Sequence, residues 1–325
     1  MTRPCHCVNL NQIVVNQIKA SIVKTLQGNR GFVSGEALSH EFGISRVSIW
    51  KHIHNLQQDG YVIEASPKGY HLISSPDLLL PYEFPGLEGR IQHFNEISST
   101  MDFARALAKN GAREGTIVIA EAQLHGRGRL ARKWASPQGG IYLTIILRPQ
   151  IIPAYAPRIN LMAAVAVAKT IRKLFGLKAE LKWPNDILIE GRKVAGILAE
   201  MDAEMDKVNY INLGIGINAN NLISRQEINA TSLREQLGSK ISRKEFFSSV
   251  VEEIGKQQAL LSKADSLEEW KKLSATLNRN VRITTPGEEI EGKATDIDAH
   301  GALIVKTHDG SLRSVFAGDC VHLNS

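Results

Sequence analysis

The sequence predicts an α+β protein of more than one domain. Three observations lead there: a helical start closing in a two-strand pattern, a middle in which strands alternate with an alanine-rich helix, and an end of short strands separated by glycines. At 325 residues the chain exceeds one small core, so two or three domains are expected.

Within residues 10–26, Val14, Ile18, Ile22 and Leu26 recur every fourth position while Lys19 and Lys24 fall off that line, as in an amphipathic helix. Ser34 caps a second helix over 35–41, with Glu36 in its first turn. Phe42-Gly43-Ile44 reads as a tight turn. Ser45 then caps a third helix with Ile49, Ile53 and Leu56 as its buried stripe, and Gly60 ends it. Strand-like runs at 61–64 and 70–73 flank Pro67-Lys68-Gly69 and make a hairpin. Helix, helix, turn, helix, hairpin is a winged helix-turn-helix, assigned to residues 1–75. The third helix offers Arg46, Ser48, Lys51, His52 and Asn55 as exposed positions, with Ser45 at its start and Lys68 at the hairpin tip. Such groups suit base edges and phosphates in a DNA major groove. Residues 1–73 carry seven basic against four acidic side chains. That modest excess fits DNA binding as a dimer, or a three-helix protein-binding module.

Ser74-Ser75-Pro76-Asp77 and residues 81–86 form a proline-rich connection. A larger α/β region, 76–277, follows. Strands are expected at 116–120, 141–147, 187–189, 196–201 and 210–217, with helices over 161–175 and within 243–277. Ala163, Ala164, Ala166 and Ala168 permit close packing of the first of these helices on a sheet. In residues 278–325, short strands at 281–284, 290–297, 302–306 and 312–315 are punctuated by Gly287, Gly301, Gly310 and Gly318, which suggests a small β-barrel.

A net charge of +6 permits an anionic partner without demanding one, because Lys and Arg are spread along the chain. Three cysteines, Cys5, Cys7 and Cys320, argue against a disulfide framework and suit a reducing cytosol. Cys5-His6-Cys7 lacks a second ligand pair, so no protein-held metal is expected. The longest apolar runs, 141–147 and 161–168, are too short to span a bilayer, and no signal-peptide pattern opens the chain. A soluble, cytoplasmic protein is expected.

Gly126-Arg127-Gly128-Arg129, followed by Arg132 and Trp134, combines charge with close backbone approach. That suits a loop folding over an anion such as a nucleotide phosphate. It is not a P-loop, since no Gly-Lys-Ser/Thr ends it. Lys182-Trp183-Pro184-Asn185-Asp186 sets a rigid turn before a strand, and a hairpin would return Lys193 of Arg192-Lys193-Val194-Ala195-Gly196 to the same place. Taken singly, the second of these also reads as an ordinary turn with a surface lysine.

Taken together and in this order, the motifs resemble those of the biotin protein ligases in the bifunctional form that also represses biotin-synthesis genes. Ser34-Gly35-Glu36, Trp50-Lys51-His52-Ile53 and Gly69-Tyr70 are similar to that family's winged helix. Ser99-Thr100-Met101-Asp102, Gln123, Lys133-Trp134-Ala135-Ser136 and Gly214-Ile215-Gly216-Ile217-Asn218 join the motifs above as its catalytic domain, and residues 292–321 are similar to its small C-terminal domain. The resemblance implies a class II aminoacyl-tRNA-synthetase-like mixed sheet with helices in the centre and an SH3-like barrel at the end. It implies that biotin and ATP form biotinyl-5'-AMP, that Mg2+ bridges the triphosphate, and that the biotinyl group passes to a lysine of a biotin carboxyl carrier protein. Catalysis would fall to Lys193, Arg129 and Asp186. Biotin would meet Ser99, Thr100, Met101, Gln123, Arg127, Gly128, Arg129 and Lys193. The nucleotide would meet Gly126, Arg127, Arg129, Arg132, Trp134, Lys182, Asn185 and Asn218. Operator DNA and a homodimer complete the implied partners. One departure stands out: Ala131 occupies a position that is usually Gly in the family, strained by about 1 kcal/mol if it needs positive φ. A lipoate ligase is the nearest rival, but its Arg-Arg-x-x-Gly-Gly-Gly signature is absent. A biotin sensor without catalysis, or an unrelated α/β domain on a DNA-binding module, are further rivals.

Overall fold

Ile22, Leu26, Ile49, Ile53 and Leu56, positions the helical periodicity singled out, meet in one apolar core together with Leu38. The computed structural model describes residues 10–223, 227–261 and 267–323; Cys5-His6-Cys7 lies outside them. The chain divides into two compact units, residues 1–93 and 94–325.

In the first unit, helices α1 (Leu10–Gly28), α2 (Gly35–Phe42) and α3 (Arg46–Gln58) precede an antiparallel hairpin of β1 (Val62–Ser66) and β2 (Gly69–Ser74). Ser34 Oγ accepts from Ala37 N at 3.0 Å and Ser45 Oγ from Ser48 N at 3.1 Å, caps that contribute about 1 kcal/mol each. Gly43, at φ 63°, turns the chain between α2 and α3 in the left-handed conformation that glycine adopts freely. The proline-rich connection folds back on this unit: Leu80 and Tyr82 join its core. Tyr82 OH donates to Asp59 Oδ2 at 2.7 Å, and Lys19 Nζ pairs with the same carboxylate at 2.8 Å. Burial, then the Asp59 contact, pushes the Tyr82 hydroxyl pKa far above its ordinary value.

The second unit is built on a seven-stranded sheet. Its strands are β3 (Ile91–Ile97), β4 (Ile117–Gln123), β5 (Ile141–Leu147), β6 (Ala179–Lys182), β7 (Asp186–Ile189), β8 (Arg192–Ala203) and β9 (Val208–Ile217), in the order β3-β4-β5-β9-β8-β7-β6. From β4 to β6 every neighbouring pair in that order is antiparallel. All seven residues of β5 are buried, so it reads as a continuous apolar run rather than an alternating one. Helix α4 (Thr100–Lys109) packs Ala104 and Leu107 near Val118 and Ile146. Helix α5 (Pro157–Phe175) lies on β6 to β8, its small residues Ala163, Ala164, Ala166 and Ala168 fully covered. Short α6 (Leu233–Leu237), α7 (Arg243–Gln258) and α8 (Glu268–Leu273) follow.

The C-terminal strands β10 (Asn280–Thr284), β11 (Glu289–Ile297), β12 (Leu303–Thr307), β13 (Leu312–Val315) and β14 (Asp319–His322) pair antiparallel in the order β13-β12-β11-β10-β14. The pairings form an open row, where the glycine-punctuated pattern suggested a barrel. Among the described residues no helix is long and apolar enough to cross a membrane.

Candidate active site

A cleft of about 300 Å³ opens over the glycine-bearing stretches of β8 and β9. Glycine is required there by close approach. A Cβ on Gly216 would lie 2.5 Å from Trp134 Nε1, and one on Gly214 would lie 2.6 Å from Met101 Sδ. The floor is bare so that these two side chains can cover it.

At one end Thr100 N and Oγ1 donate to Gln123 Oε1 at 2.8 and 3.0 Å. Gln123 Nε2 donates to Ser136 Oγ at 2.9 Å, and Thr144 Oγ1 to Thr100 Oγ1 at 2.9 Å. Ser99 Oγ and Trp134 Nε1 are buried with no hydrogen-bond partner among the described residues. Buried polar atoms are nearly always satisfied, so the Trp134 indole N–H, which lines the cleft, is a place where a ligand's polar group fits.

At the other end stand the charges. Lys193 Nζ lies 2.6 Å from Asp186 Oδ1 and 5.1 Å from the Trp134 ring centroid. Arg129 Nη1 donates to Gly318 O at 3.1 Å; burial lowers the pKa of its guanidinium, against the pull of Asp186 and Asp319. Arg132 grips Asp319 with both terminal nitrogens, at 3.0 and 2.5 Å, and this contact holds the Asp319 carboxyl pKa below its ordinary value. Asn185 staples its turn to β8, giving Nδ2 to Ile197 O at 2.8 Å and receiving Ile197 N on its carbonyl at 2.9 Å. The Trp183–Pro184 bond in that turn is cis. Trp183 is buried, with its N bound by Thr276 Oγ1 at 3.0 Å and its Nε1 donating to Gly301 O at 3.2 Å. Burial pushes the Cys320 thiol, on the cleft wall, up to about 12, and burial followed by Lys182 and Arg279 pulls His322 down to about 4.

Most of the expected residues converge. Thr100, Met101, Gln123, Arg127, Gly128, Arg129, Arg132, Trp134, Lys182, Asn185, Asp186 and Lys193 all line the cleft. Ser99, Gly126 and Asn218 do not. Asn218 is buried behind it, donating from Nδ2 to Thr231 O at 3.1 Å and from N to Val194 O at 2.8 Å. Two finer expectations need correction. The Gly128 N–H, which a loop folding over an anion would present to it, is already given to Arg132 O at 2.8 Å, because residues 126–134 fold as a narrow hairpin. Arg127 is held by Asp102 at 2.9 Å and Glu200 at 2.7 Å, with Arg105 on the same two carboxylates. Asp319 and Thr144 were missed. Asp319 sits in a four-residue strand with no apolar pattern, and only folding carries it to Arg132.

At the hairpin tip, Leu130 and Ala131 have φ of 52° and 58°. The position that is usually Gly does require the left-handed region. Replacing Ala131 with Gly is expected to relieve about 1 kcal/mol and raise the melting midpoint by roughly 2–4 °C. An unchanged or lower midpoint in calorimetry would show that the tip carries no strain.

On α3, Arg46, Lys51 and Asn55 are exposed, as are Ser45 and, at the hairpin turn, Lys68. Ser48 and His52 are partly covered, which corrects their reading as open positions. The Ser48 N–H is bound by Ser45 Oγ, and burial with nearby Lys19 lowers the His52 pKa. The residues missed are Val47 and Trp50, 63% and 54% exposed, and His54. They lie opposite Ile49, Ile53 and Leu56 on the helix, a signal already present in the spacing.

The Biotin/lipoate A/B protein ligase family matches residues 94–218, the Biotin protein ligase C terminal domain residues 276–323, and an HTH domain residues 19–71. The bifunctional ligase/repressor BirA of Bacillus subtilis is 37% identical over 90% of this chain and 94% of its own length. The chain belongs to the bifunctional biotin protein ligase/repressor family. The Escherichia coli bifunctional ligase/repressor is 33% identical, again over 90% of this chain and 94% of that one. A biotin protein ligase from Aquifex aeolicus, solved in complex with biotin and ATP, superposes with a TM-score of 0.64 at 26% identity, covering 73% of this chain and 99% of that one.

Proposed function

We propose that this chain joins biotin to ATP, forms biotinyl-5'-AMP and transfers the biotinyl group to a lysine of a biotin carboxyl carrier protein, such as that of acetyl-CoA carboxylase, and that it also represses biotin-synthesis genes. One observation carries the catalytic half: Arg129, Arg132, Lys182 and Lys193 converge on a single cleft. The first step brings a carboxylate to a triphosphate, two anions that repel. Positive groups fixed in advance lower such a barrier most.

In that step a carboxylate oxygen of biotin bonds to the α-phosphorus and pyrophosphate leaves. Lys193 lies between the two reactants, released from Asp186 as negative charge builds. Arg129, backed by Gly318 O, and Arg132, backed by Asp319, face the nucleotide. Trp134 walls its adenine side, with Lys182 and Asn185 nearby and Gly126 and Asn218 shaping the backbone behind. Thr100, Met101 and Gln123 enclose biotin's ring. The unpartnered Ser99 Oγ supports a ureido group at that end, and the Trp134 indole N–H offers a donor to either substrate. In the second step the acceptor amine attacks the acyl carbonyl, AMP leaves, and the amine proton passes to Asp186. Closure of the 126–134 hairpin excludes the water that would otherwise hydrolyse the adenylate.

Magnesium prefers phosphate oxygens, and the cleft carboxylates Asp186 and Asp319 are engaged by Lys193 and Arg132, so the ion would ride on the triphosphate. We read the C-terminal row as an SH3-like barrel, the centre as a class II synthetase-like sheet, and the cytosol as the compartment. In repression, biotinyl-5'-AMP would stabilise a homodimer whose paired winged helices meet two half-sites. That coupling is reciprocal: DNA would tighten adenylate binding by the same factor.

Incubation with ATP, biotin and a carrier domain should add one biotinyl mass to the carrier lysine, and lipoate should add nothing. Lipoylation, or no transfer at all, would overturn the reading.

A further inference from the structure

The exposed face of α3 is apolar at its centre, which the DNA-binding reading does not by itself explain. Val47 and Trp50 are 63% and 54% exposed on a helix that contains no acidic residue. The Trp50 ring lies flat against His54, with centroids 5.5 Å apart and planes 5° from parallel. His54 Nε2 is in turn 3.1 Å from Gln58 Nε2. The indole thus stacks on an imidazole that is itself hydrogen-bonded. A groove beside this face is lined by Arg46, Val47, Trp50 and His54 from α3 and by Pro67 and Tyr70 from the hairpin.

A preset apolar plate among basic groups needs an apolar ligand carried on a polyanion. In a major groove only one base offers that: thymine, through its C5 methyl. Val47 and Trp50 are three residues apart, so they are separated by about 4.5 Å along the helix axis. That is near the ~3.4 Å spacing of bases along one DNA strand. Arg46 and Lys51 flank them and Lys68 stands at the hairpin turn, charges that suit the phosphates beside the groove.

We infer that α3 reads neighbouring thymines through their methyl groups, with Val47 and Trp50 as the specificity-determining residues. This rests on the proposed DNA binding and adds what the helix recognises. Each buried methyl is worth about four-fold in affinity.

The whole 325-residue chain, with biotin and ATP, selects sequences from a random duplex pool. The selected duplexes are then remade with deoxyuridine at single thymines, and affinities are read by fluorescence anisotropy. Two nearby thymines should each lose about four-fold on removal of the methyl. Val47→Ala should abolish the loss at one and Trp50→Ala at the other, while both variants still bind the deoxyuridine duplex. Both side chains are exposed, so neither change should disturb folding, and unchanged melting midpoints check this. Selected DNA that tolerates uracil at every thymine, or penalties that persist in both variants, would overturn the inference and leave DNA binding intact. If the unmodified chain retained no duplex, the DNA-binding reading itself would fall.

Discussion

Lys193→Ala is expected to slow biotin-dependent ATP–pyrophosphate exchange by about 10²–10³-fold, the usual loss when one preset electrostatic group is removed. The Lys193 ammonium lies 2.6 Å from Asp186 and over the Trp134 ring. Its removal deletes a cation where two anions must meet and leaves the Asp186 carboxylate facing them. Two other cleft cations are committed: Arg129 to Gly318 O and Arg132 to Asp319. The loss should therefore fall mainly on the rate at saturation rather than on the biotin KM. Asp186→Asn separates the roles. It keeps the lysine, so adenylation should suffer less than transfer to the carrier, as single-turnover measurements of the two steps would read. Exchange that survives Lys193→Ala within a few-fold would remove Lys193 from the chemistry.

The largest effect on stability is expected at Arg243. Its side chain is 3% exposed and its partner Glu121 4%, with Nη2 2.8 Å from Glu121 Oε2 and Nη1 donating to Gly140 O at 2.7 Å. Arg243→Ala takes away the guanidinium 2.8 Å from a buried carboxylate, which costs about 3–5 kcal/mol and lowers the melting midpoint by on the order of 10 °C. The damage would reach the cleft. Gly139 O, next to the arginine's acceptor, receives Asn220 N at 2.7 Å, and Asn218 N donates to Val194 O at 2.8 Å beside Lys193. A double replacement, Glu121→Leu with Arg243→Met, should recover most of the loss, because it removes both charges and fills the volume. A midpoint unchanged by Arg243→Ala, or a double variant no better than the single one, would show that the pair does not hold this part of the fold.

Much of the architecture was legible from periodicity. The stripe of α3, the small face of α5 and the apolar run of β5 each declare their partners through spacing alone. What stayed hidden had weak local patterns. Strand β3 carries Gln92, His93, Asn95 and Glu96 among its apolar residues, and β14 is four residues long. Helix α4 begins inside Ser99-Thr100-Met101-Asp102, which reads first as a ligand-binding run. Ser99 stands at its cap position but makes no capping bond, and its hydroxyl is left free. The cleft residues were legible as motifs, but their pairings were not. That Arg127 is neutralised by Asp102 and Glu200, and that Asp319 reaches Arg132, are contacts across 25, 73 and 187 positions of sequence. No local pattern encodes separations of that kind. The error over Ser48 and His52 was different: it was a misassigned helix face, which the stripe at Ile49, Ile53 and Leu56 already contained.

On the proposed function, one basic cleft makes and keeps an acyl-adenylate. The most direct test of that uses the unmodified chain without any carrier protein. Labelled biotin and ATP are added, and the protein is separated by rapid gel filtration. One biotinyl-AMP should travel with each chain, and none should form when ATP is omitted. Label that never accompanies the protein, or that is bound only as unchanged biotin when ATP is present, would contradict the account.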